Sequence, residues 1–221
     1  MTAPHNHKNS PSVDLDASSL VFADDFVPMS EAIREARDQA VLMGAPQLSN
    51  GSCSTLTMLT RAIGAQAIVE VGSATGASGL AFFAGMGDSG VLTSIDPQSQ
   101  WQLEARNAFL SRNIPTRRFR LIPGLPLDVL NNLRDSAYDL VFINGDKLEY
   151  VEYFAQAQRL LRPGGLIVIN DALWHNKIAD PSNEDDETVI IREALQSVTD
   201  TENLTTALLP VGDGLLVAVS G

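Results

Sequence analysis

A single cysteine, Cys53, among 221 residues excludes an internal disulfide and with it the stapled scaffolds of small secreted proteins. Its expected place is a buried helix position, filled as a small apolar residue. Basic residues are scarce too: 15 Lys and Arg stand against 27 Asp and Glu, a formal net charge of −12. Phosphate contact needs clustered cations, so a nucleic-acid partner is excluded, whereas a small cationic ligand would be welcome. No uninterrupted apolar stretch reaches the length of a membrane span, which removes the membrane as a partner. Residues 1–19 lack a basic start followed by an apolar run, so they read as a disordered tail and not as a signal peptide. Together these absences indicate a cytoplasmic protein.

What is present suits one α/β domain with a small addition: 44% of residues are hydrophobic and 19% charged, enough apolar surface for a proper core. Ser30 can cap a helix to about Met43, with Ile33, Ala36, Ala40 and Met43 on one face and Gly44 then Pro46 closing it. A second helix is expected over residues 53–63. Both precede the first core strand, so residues 20–63 form an N-terminal helical addition that could cover a site, build a dimer or simply pack on the sheet. From Ala67, within a main domain spanning 64–221, short apolar runs alternate with helical patterns, the signature of βαβ units and a parallel sheet. Strands are expected at 67–71, 91–95, 118–122, 138–143 and 165–169, with helices near 76–86, 99–112, 126–133, 147–161 and 186–198. Leu204 to Pro210 and Leu215 to Val219, joined by Val-Gly-Asp-Gly, break the alternation and predict an antiparallel hairpin at the end of the sheet.

In such a sheet ligands bind beyond the carboxyl ends of the strands. Glu70, Gly72, Ser73 and Ser78 follow the first strand, Asp96 the second, Asn144, Asp146 and Lys147 the fourth, and Asn170 and Asp171 the fifth. The run Glu70-Val-Gly-Ser-Ala-Thr-Gly-Ala-Ser-Gly79 is a strand turning through a glycine-rich loop into a helix, with three glycines that let the backbone approach a ligand. Asp96, at the end of the second strand, is placed to accept hydrogen bonds from both ribose hydroxyls of a nucleoside. A nicotinamide dinucleotide prefers Gly-x-Gly-x-x-Gly, with a helix N-terminus facing its pyrophosphate. Here an acid stands two residues before Gly72 and would repel that group. The acid suits S-adenosylmethionine, which has no phosphate and carries positive charge on its sulfonium and amino groups.

The ordered set Glu70-Val-Gly-Ser-Ala-Thr-Gly-Ala-Ser, Ser94-Ile-Asp96, Tyr138-Asp-Leu-Val-Phe-Ile-Asn-Gly-Asp-Lys147 with Tyr150, Leu161-Arg-Pro-Gly-Gly-Leu166, Leu173-Trp174 and Leu209-Pro-Val-Gly-Asp-Gly-Leu215 resembles the catechol and caffeoyl-CoA type of S-adenosylmethionine-dependent O-methyltransferase. The resemblance covers about residue 44 to the C-terminus. It implies a Rossmann-like class I methyltransferase fold with a seven-stranded, mostly parallel sheet and helices on both faces, and a homodimer, as is usual among bacterial members. By the same resemblance Leu48, Glu70, Gly72, Ser73, Ser78, Asp96, Pro126 and Asp146 hold the cofactor, and Asn144 and Trp174 lie on the acceptor side. Lys147 falls near the acceptor hydroxyl, and His175 is a second candidate base; an ordinary exposed lysine and a solvated loop histidine are the plain alternatives. The implied reaction moves a methyl group to a hydroxyl of a small acceptor, phenols among them.

The departures from that pattern concern a metal. Metal-dependent members carry Asp-Ala-Asp-Lys after the fourth strand and Asp-Asn after the fifth; the three ligand places here read Asn144, Asn170 and Asp171. Two formal negative charges have become one, and a hard divalent cation depends on that charge for affinity. Amide oxygens can still ligate such an ion, and Asp171 could swing into the role, but the charge argues against strong binding. Two rivals stay open at this point: a regulatory protein that keeps the cofactor pocket without catalysis, and a nucleotide-dependent oxidoreductase.

Overall fold

The computed structural model describes residues 16–221. Of the tail expected over 1–19, residues 1–15 lie outside that range, whereas Ala17–Asp25 form a helix, α1. The Asp16 carboxylate caps it by accepting the Ser19 N–H at 2.8 Å, so residues 17–19 are the first turn of a helix. Helix α2 spans Glu31–Met43, capped by Ser30 and closed by Gly44 in the left-handed conformation, with Ile33, Ala36 and Ala40 buried. Helix α3 spans Asn50–Ala62 and starts three residues earlier than its apolar pattern indicates. Ser49 caps it, accepting the Ser52 N–H at 3.0 Å, and also donates to Asp24 of α1 at 2.6 Å. Cys53 is buried and free, and burial pushes its thiol up to about 11.

Seven strands follow: β1 (Ala67–Val71), β2 (Val91–Asp96), β3 (Phe119–Pro123), β4 (Tyr138–Ile143), β5 (Leu161–Asn170), β6 (Leu204–Leu209) and β7 (Leu215–Ser220). Their order is β3-β2-β1-β4-β5-β7-β6, parallel as far as β5 and antiparallel at both β7 pairings. The expected architecture is therefore present, including the terminal hairpin. Strand β5 begins four residues earlier than expected because Leu161 pairs with Tyr138 ahead of a register break, after which Leu166 pairs with Leu140. The helices between strands are α4 (Ala77–Gly85), α5 (Ser99–Ser111), α6 (Pro126–Leu130), α7 (Tyr150–Leu160) and α8 (Asp186–Thr199). A short 3-10 turn, Lys147–Glu149, precedes α7 where one continuous helix was expected.

Strand side chains alternate between faces. Ile68, Leu140, Phe142 and Val168 meet α2–α5, packing with Ile33, Leu56, Phe82 and Phe109. Val69, Val71, Val141, Ile143 and Ile167 meet α7 and α8 through Tyr153, Phe154 and Ile191. Strands β1 and β4 are adjacent and parallel, and the chain leaves them in opposite directions, β1 toward β2 and β4 toward β5, which opens a crevice at their carboxyl ends, the usual ligand site of a doubly wound sheet. Among the described residues no helix is long and apolar enough to cross a membrane.

Candidate active site

A cleft of about 330 Å³ lies over the ends of β1, β2 and β4. Gly72, Asp96, Pro126, Asn144 and Asp146 line it, so five residues singled out from the sequence are gathered there. Among the lining residues not singled out from the sequence, three bring aromatic or charged side chains: Trp101 in the first turn of α5, and Glu149 and Tyr153 one turn apart near the start of α7. Trp101 had one legible signal, a lone large aromatic five residues after the candidate ribose acid. Glu149 and Tyr153 had none, since only the turn before α7 aims them back across β4. The cleft wall thus carries three carboxylates, Asp96, Asp146 and Glu149, and no lysine or arginine.

Asp96 is held as a rigid acceptor. Its Oδ2 accepts the Ala74 N–H at 3.0 Å and its Oδ1 the Gln98 N–H at 2.8 Å, with the Ser73 hydroxyl at 3.4 Å. Burial nonetheless raises its pKa above the ordinary carboxylate value, against those hydrogen bonds. Gly72 sits at φ +86°, and a Cβ there would come within 2.2 Å of the Asn144 carbonyl oxygen, so this glycine lets the β1 and β4 loops touch. Gly76 and Gly79 serve packing rather than ligand approach: a Cβ on either would collide with Phe109 of α5, and on Gly76 with Ala105 as well. Only one of the three glycines of the loop therefore borders the cleft.

Leu48, Ser73 and Ser78 border a narrow recess beside the cleft, walled by α2 and the loop after it and sharing Pro46, Ala74 and Asn144 with the cleft. Glu70 lies in neither. Strand alternation turns it to the same face as Ile68, beneath the first turn of α4, where it is fully buried. Its Oε2 accepts the Ser78 hydroxyl at 2.6 Å, while Oε1 has no partner among the described residues. Burial pushes Glu70 up to about 7, against the Ser78 hydrogen bond, with the charge of Asp96 adding to the rise. The native state therefore binds this proton more tightly than the unfolded chain, and the associated stability is full below pH 4.5 and lost as pH rises through about 7. A Glu70→Gln variant, which mimics the protonated acid, is expected to lie within about 1 kcal/mol of the native protein at pH 5 and to exceed it by about 3 kcal/mol at pH 8. Urea unfolding at the two pH values measures this, and parallel pH profiles would refute it.

A second cluster extends from the cleft across β5. Asn144 accepts from the Asn170 amide at 2.8 Å, and the same amide donates to Asp171 at 2.9 Å. Asp171 pairs with Lys147 at 2.7 Å, and Lys147 also donates to the Tyr150 hydroxyl at 2.7 Å. The Lys147 Nζ lies 5.5 Å from the Trp174 ring centroid, and that ring lies 4.8 Å from the ring of His175. Tyr150 is fully buried, so it packs, as its place on α7 indicates; its hydroxyl donates to the Asn170 carbonyl. His175 is exposed, with Nδ1 3.1 Å from Asp213.

The loop holding Trp174 and His175 is strained. Asp171, Trp174, His175 and Asn176 all have positive φ, between 42° and 64°, a conformation that costs roughly 1–2 kcal/mol per non-glycine residue. The Asp213 carboxylate fastens the loop by accepting the His175 N–H with both oxygens, at 2.8 and 2.9 Å. Asp213 was legible only as part of a tight turn; its grip on residue 175 depends on β7 lying beside β5. Such strain persists only where outside contacts hold the backbone, as Asp213 does here.

A family model described as O-methyltransferase matches residues 23–220. A Mycobacterium avium protein whose assigned activity, O-methyltransferase, is itself inferred is 41% identical over 204 residues, 92% of each chain. A solved structure from Corynebacterium glutamicum superposes with a TM-score of 0.84 at 30% identity, covering 91% of this chain and 94% of that one. The O-methyltransferase TomG from Streptomyces achromogenes, involved in tomaymycin synthesis and solved in complex with SAM, shares the fold with a TM-score of 0.82 at 23% identity, covering 92% and 96%.

Proposed function

The chain belongs to the O-methyltransferase family, and from that premise we propose that its cleft binds S-adenosylmethionine and that the enzyme methylates a hydroxyl of a small acceptor. The observation that carries this reading is the cleft wall, with three carboxylates and no basic residue. It suits a cationic nucleoside without phosphates and repels a dinucleotide. Asp96 would take the ribose hydroxyls, Trp101 and Pro126 would flank the base, and Asp146 would face the methionine end. Leu48, Ser73 and Ser78 would border that end, and Glu70 would act from below, by positioning Ser78.

When bound, the cofactor supplies an electrophilic methyl group on a sulfonium. Catalysis then rests on holding the acceptor oxygen in line with it. Asp96 and Asp146 would hold that cofactor in the cleft, while Lys147 and Trp174 would orient the acceptor oxygen beside it. The hydroxyl proton passes to His175, whose Nδ1 faces Asp213 and whose other ring nitrogen is left to receive it. Lys147 stabilises the oxyanion and Trp174 packs against an aromatic acceptor.

Adenosylhomocysteine at about 100 times its Kd is expected to raise the unfolding midpoint by roughly 5–10 °C, and NAD to leave it unmoved. A shift with NAD but none with adenosylhomocysteine would overturn the reading. The reading extends to residues 20–63 as a helical addition on a catalytic domain over 64–221, to a cytoplasmic setting, and to a homodimer. The dimer is supported by α1, which buries none of its residues and exposes Leu20, Val21 and Phe22, with Phe26 just beyond its end. Light scattering should give about twice the 23.7 kDa chain mass; a monomer would refute the pairing.

A further inference from the structure

The three places where the resembled family binds a divalent ion are not arranged to receive one here. Asn170 turns its NH₂ toward both Asn144 Oδ1 and Asp171 Oδ1, at 2.8 and 2.9 Å, so it presents hydrogens where a ligand set needs lone pairs. The reverse orientation of that amide would set its oxygen against the Asp171 carboxylate, at an electrostatic cost. The one carboxylate of the three is already neutralised by Lys147 at 2.7 Å. Among the described residues no group of three His, Cys, Asp or Glu side chains could hold a metal. The donors present do not fit a hard divalent cation, which wants six or more oxygens and net negative charge.

The cation that stands beside Asp171 is an ammonium. Lys147 Nζ has three N–H donors and three acceptors: Asp171 Oδ2 at 2.7 Å, Tyr150 Oη at 2.7 Å and the Gly145 carbonyl at 3.4 Å. Tyr150 is itself pinned by its bond to the Asn170 carbonyl at 3.1 Å, so Lys147 is fixed from both β4 and β5. The Trp174 ring walls the other side. Two of the donors are short and committed, and only the long one, to Gly145, can be exchanged for an incoming oxygen.

Resting on the methyltransferase reading above, we propose that the acceptor site works without a divalent ion, with the Lys147 ammonium as the cation that meets the acceptor oxygen, and that the acceptor is an aromatic molecule reacting through a single hydroxyl. A metal with two open positions can grip two adjacent oxygens of a vicinal diol; an ammonium with one exchangeable donor holds one. Asn144 and Asn170 are then the residues that close the site to metal.

The test begins with calorimetric titration of Mn²⁺ into the full-length protein. The native chain should show no site tighter than about 1 mM, and the Asn144→Asp/Asn170→Asp double variant should bind at least about tenfold tighter, because two carboxylates have been restored. Methyl transfer to a panel of monohydric phenols and catechols should be unaffected by a chelator, with monohydric phenols as the better acceptors. Lys147→Met should lower kcat by about 100-fold or more while leaving adenosylhomocysteine affinity within about threefold, since the oxyanion and not the cofactor loses its partner. Micromolar Mn²⁺ binding by the native chain, turnover abolished by chelator and restored by Mg²⁺, catechols as the preferred acceptors, or an unchanged kcat in Lys147→Met would each overturn the proposal. Failure of adenosylhomocysteine to bind would instead remove the methyltransferase reading, and the Mn²⁺ titration would still decide the metal question.

Discussion

Replacing Gly72 by alanine is expected to destabilise the protein by about 3–5 kcal/mol and to lower its unfolding midpoint by roughly 10 °C, the combined effect of backbone strain and overpacking. The backbone at Gly72 has φ +86°, and a Cβ would lie 2.2 Å from the Asn144 carbonyl oxygen and 2.7 Å from its carbon. Neither side can yield easily. Gly72 N–H donates to Ile95 at 2.8 Å, and Asn144 N–H donates to Val71 at 2.9 Å, so the two loops are tied to the sheet on either side of the collision. Gly44 is the control, with φ +64° and nothing within 4 Å of the added carbon; alanine there should cost about 1–2 kcal/mol, from strain alone. Calorimetric melting of both variants measures the difference. A Gly72→Ala protein melting within 2 °C of the native one would show that the loops do not touch as described.

Asp96→Ala is expected to weaken adenosylhomocysteine binding by about 100-fold or more, because charge-assisted hydrogen bonds to two hydroxyls are lost together. The loss has a second source. The same carboxylate accepts the Ala74 and Gln98 N–H groups, so the alanine variant frees the two segments that form one wall of the cleft. Asp96→Asn, which keeps one acceptor oxygen, should fall between the native protein and the alanine variant. Calorimetry with adenosylhomocysteine separates the three, and an alanine variant within about threefold of native affinity would exclude Asp96 as the ribose acceptor.

Much of the fold was legible in the order of residues. The apolar run at Leu166 is continuous, and those at Ala67, Val91 and Tyr138 are broken by only one or two polar residues, because their strands are covered on both faces, and that pattern is a local property. The cofactor side was legible for a similar reason: Gly72 and Asp96 follow directly from strand ends, and a strand end fixes where the next residues point. The boundaries of α3 and β5 were misjudged where a contact from far along the chain decided them. Ser49 is tied to Asp24 across 25 positions, and the start of β5 is set by pairing with Tyr138. Helix α1 gave no signal because its apolar residues are exposed and show no face.

The acceptor side divides differently. Substitution of amides at positions 144 and 170 is visible in the sequence and already argues against a tightly held divalent ion. That the Lys147 ammonium is tied to Asp171, Tyr150 and Gly145 depends on β4 and β5 lying side by side. The partnership of Asp213 with His175 likewise exists only because β7 returns antiparallel beside β5 and brings residues 38 positions apart into hydrogen-bond contact. The sequence by itself determined the sheet, the glycine-rich turn, the acid at the end of β2 and the deficit of metal-binding charge, since each follows from composition or from neighbours along the chain. Only the tertiary structure decided that Glu70 is buried beneath α4, that Trp101 and Glu149 face the cleft, and that the Lys147 ammonium pairs with Asp171. Each of those depends on which strand face is covered and which strands are adjacent, and adjacency across a sheet is not written in any local run of residues.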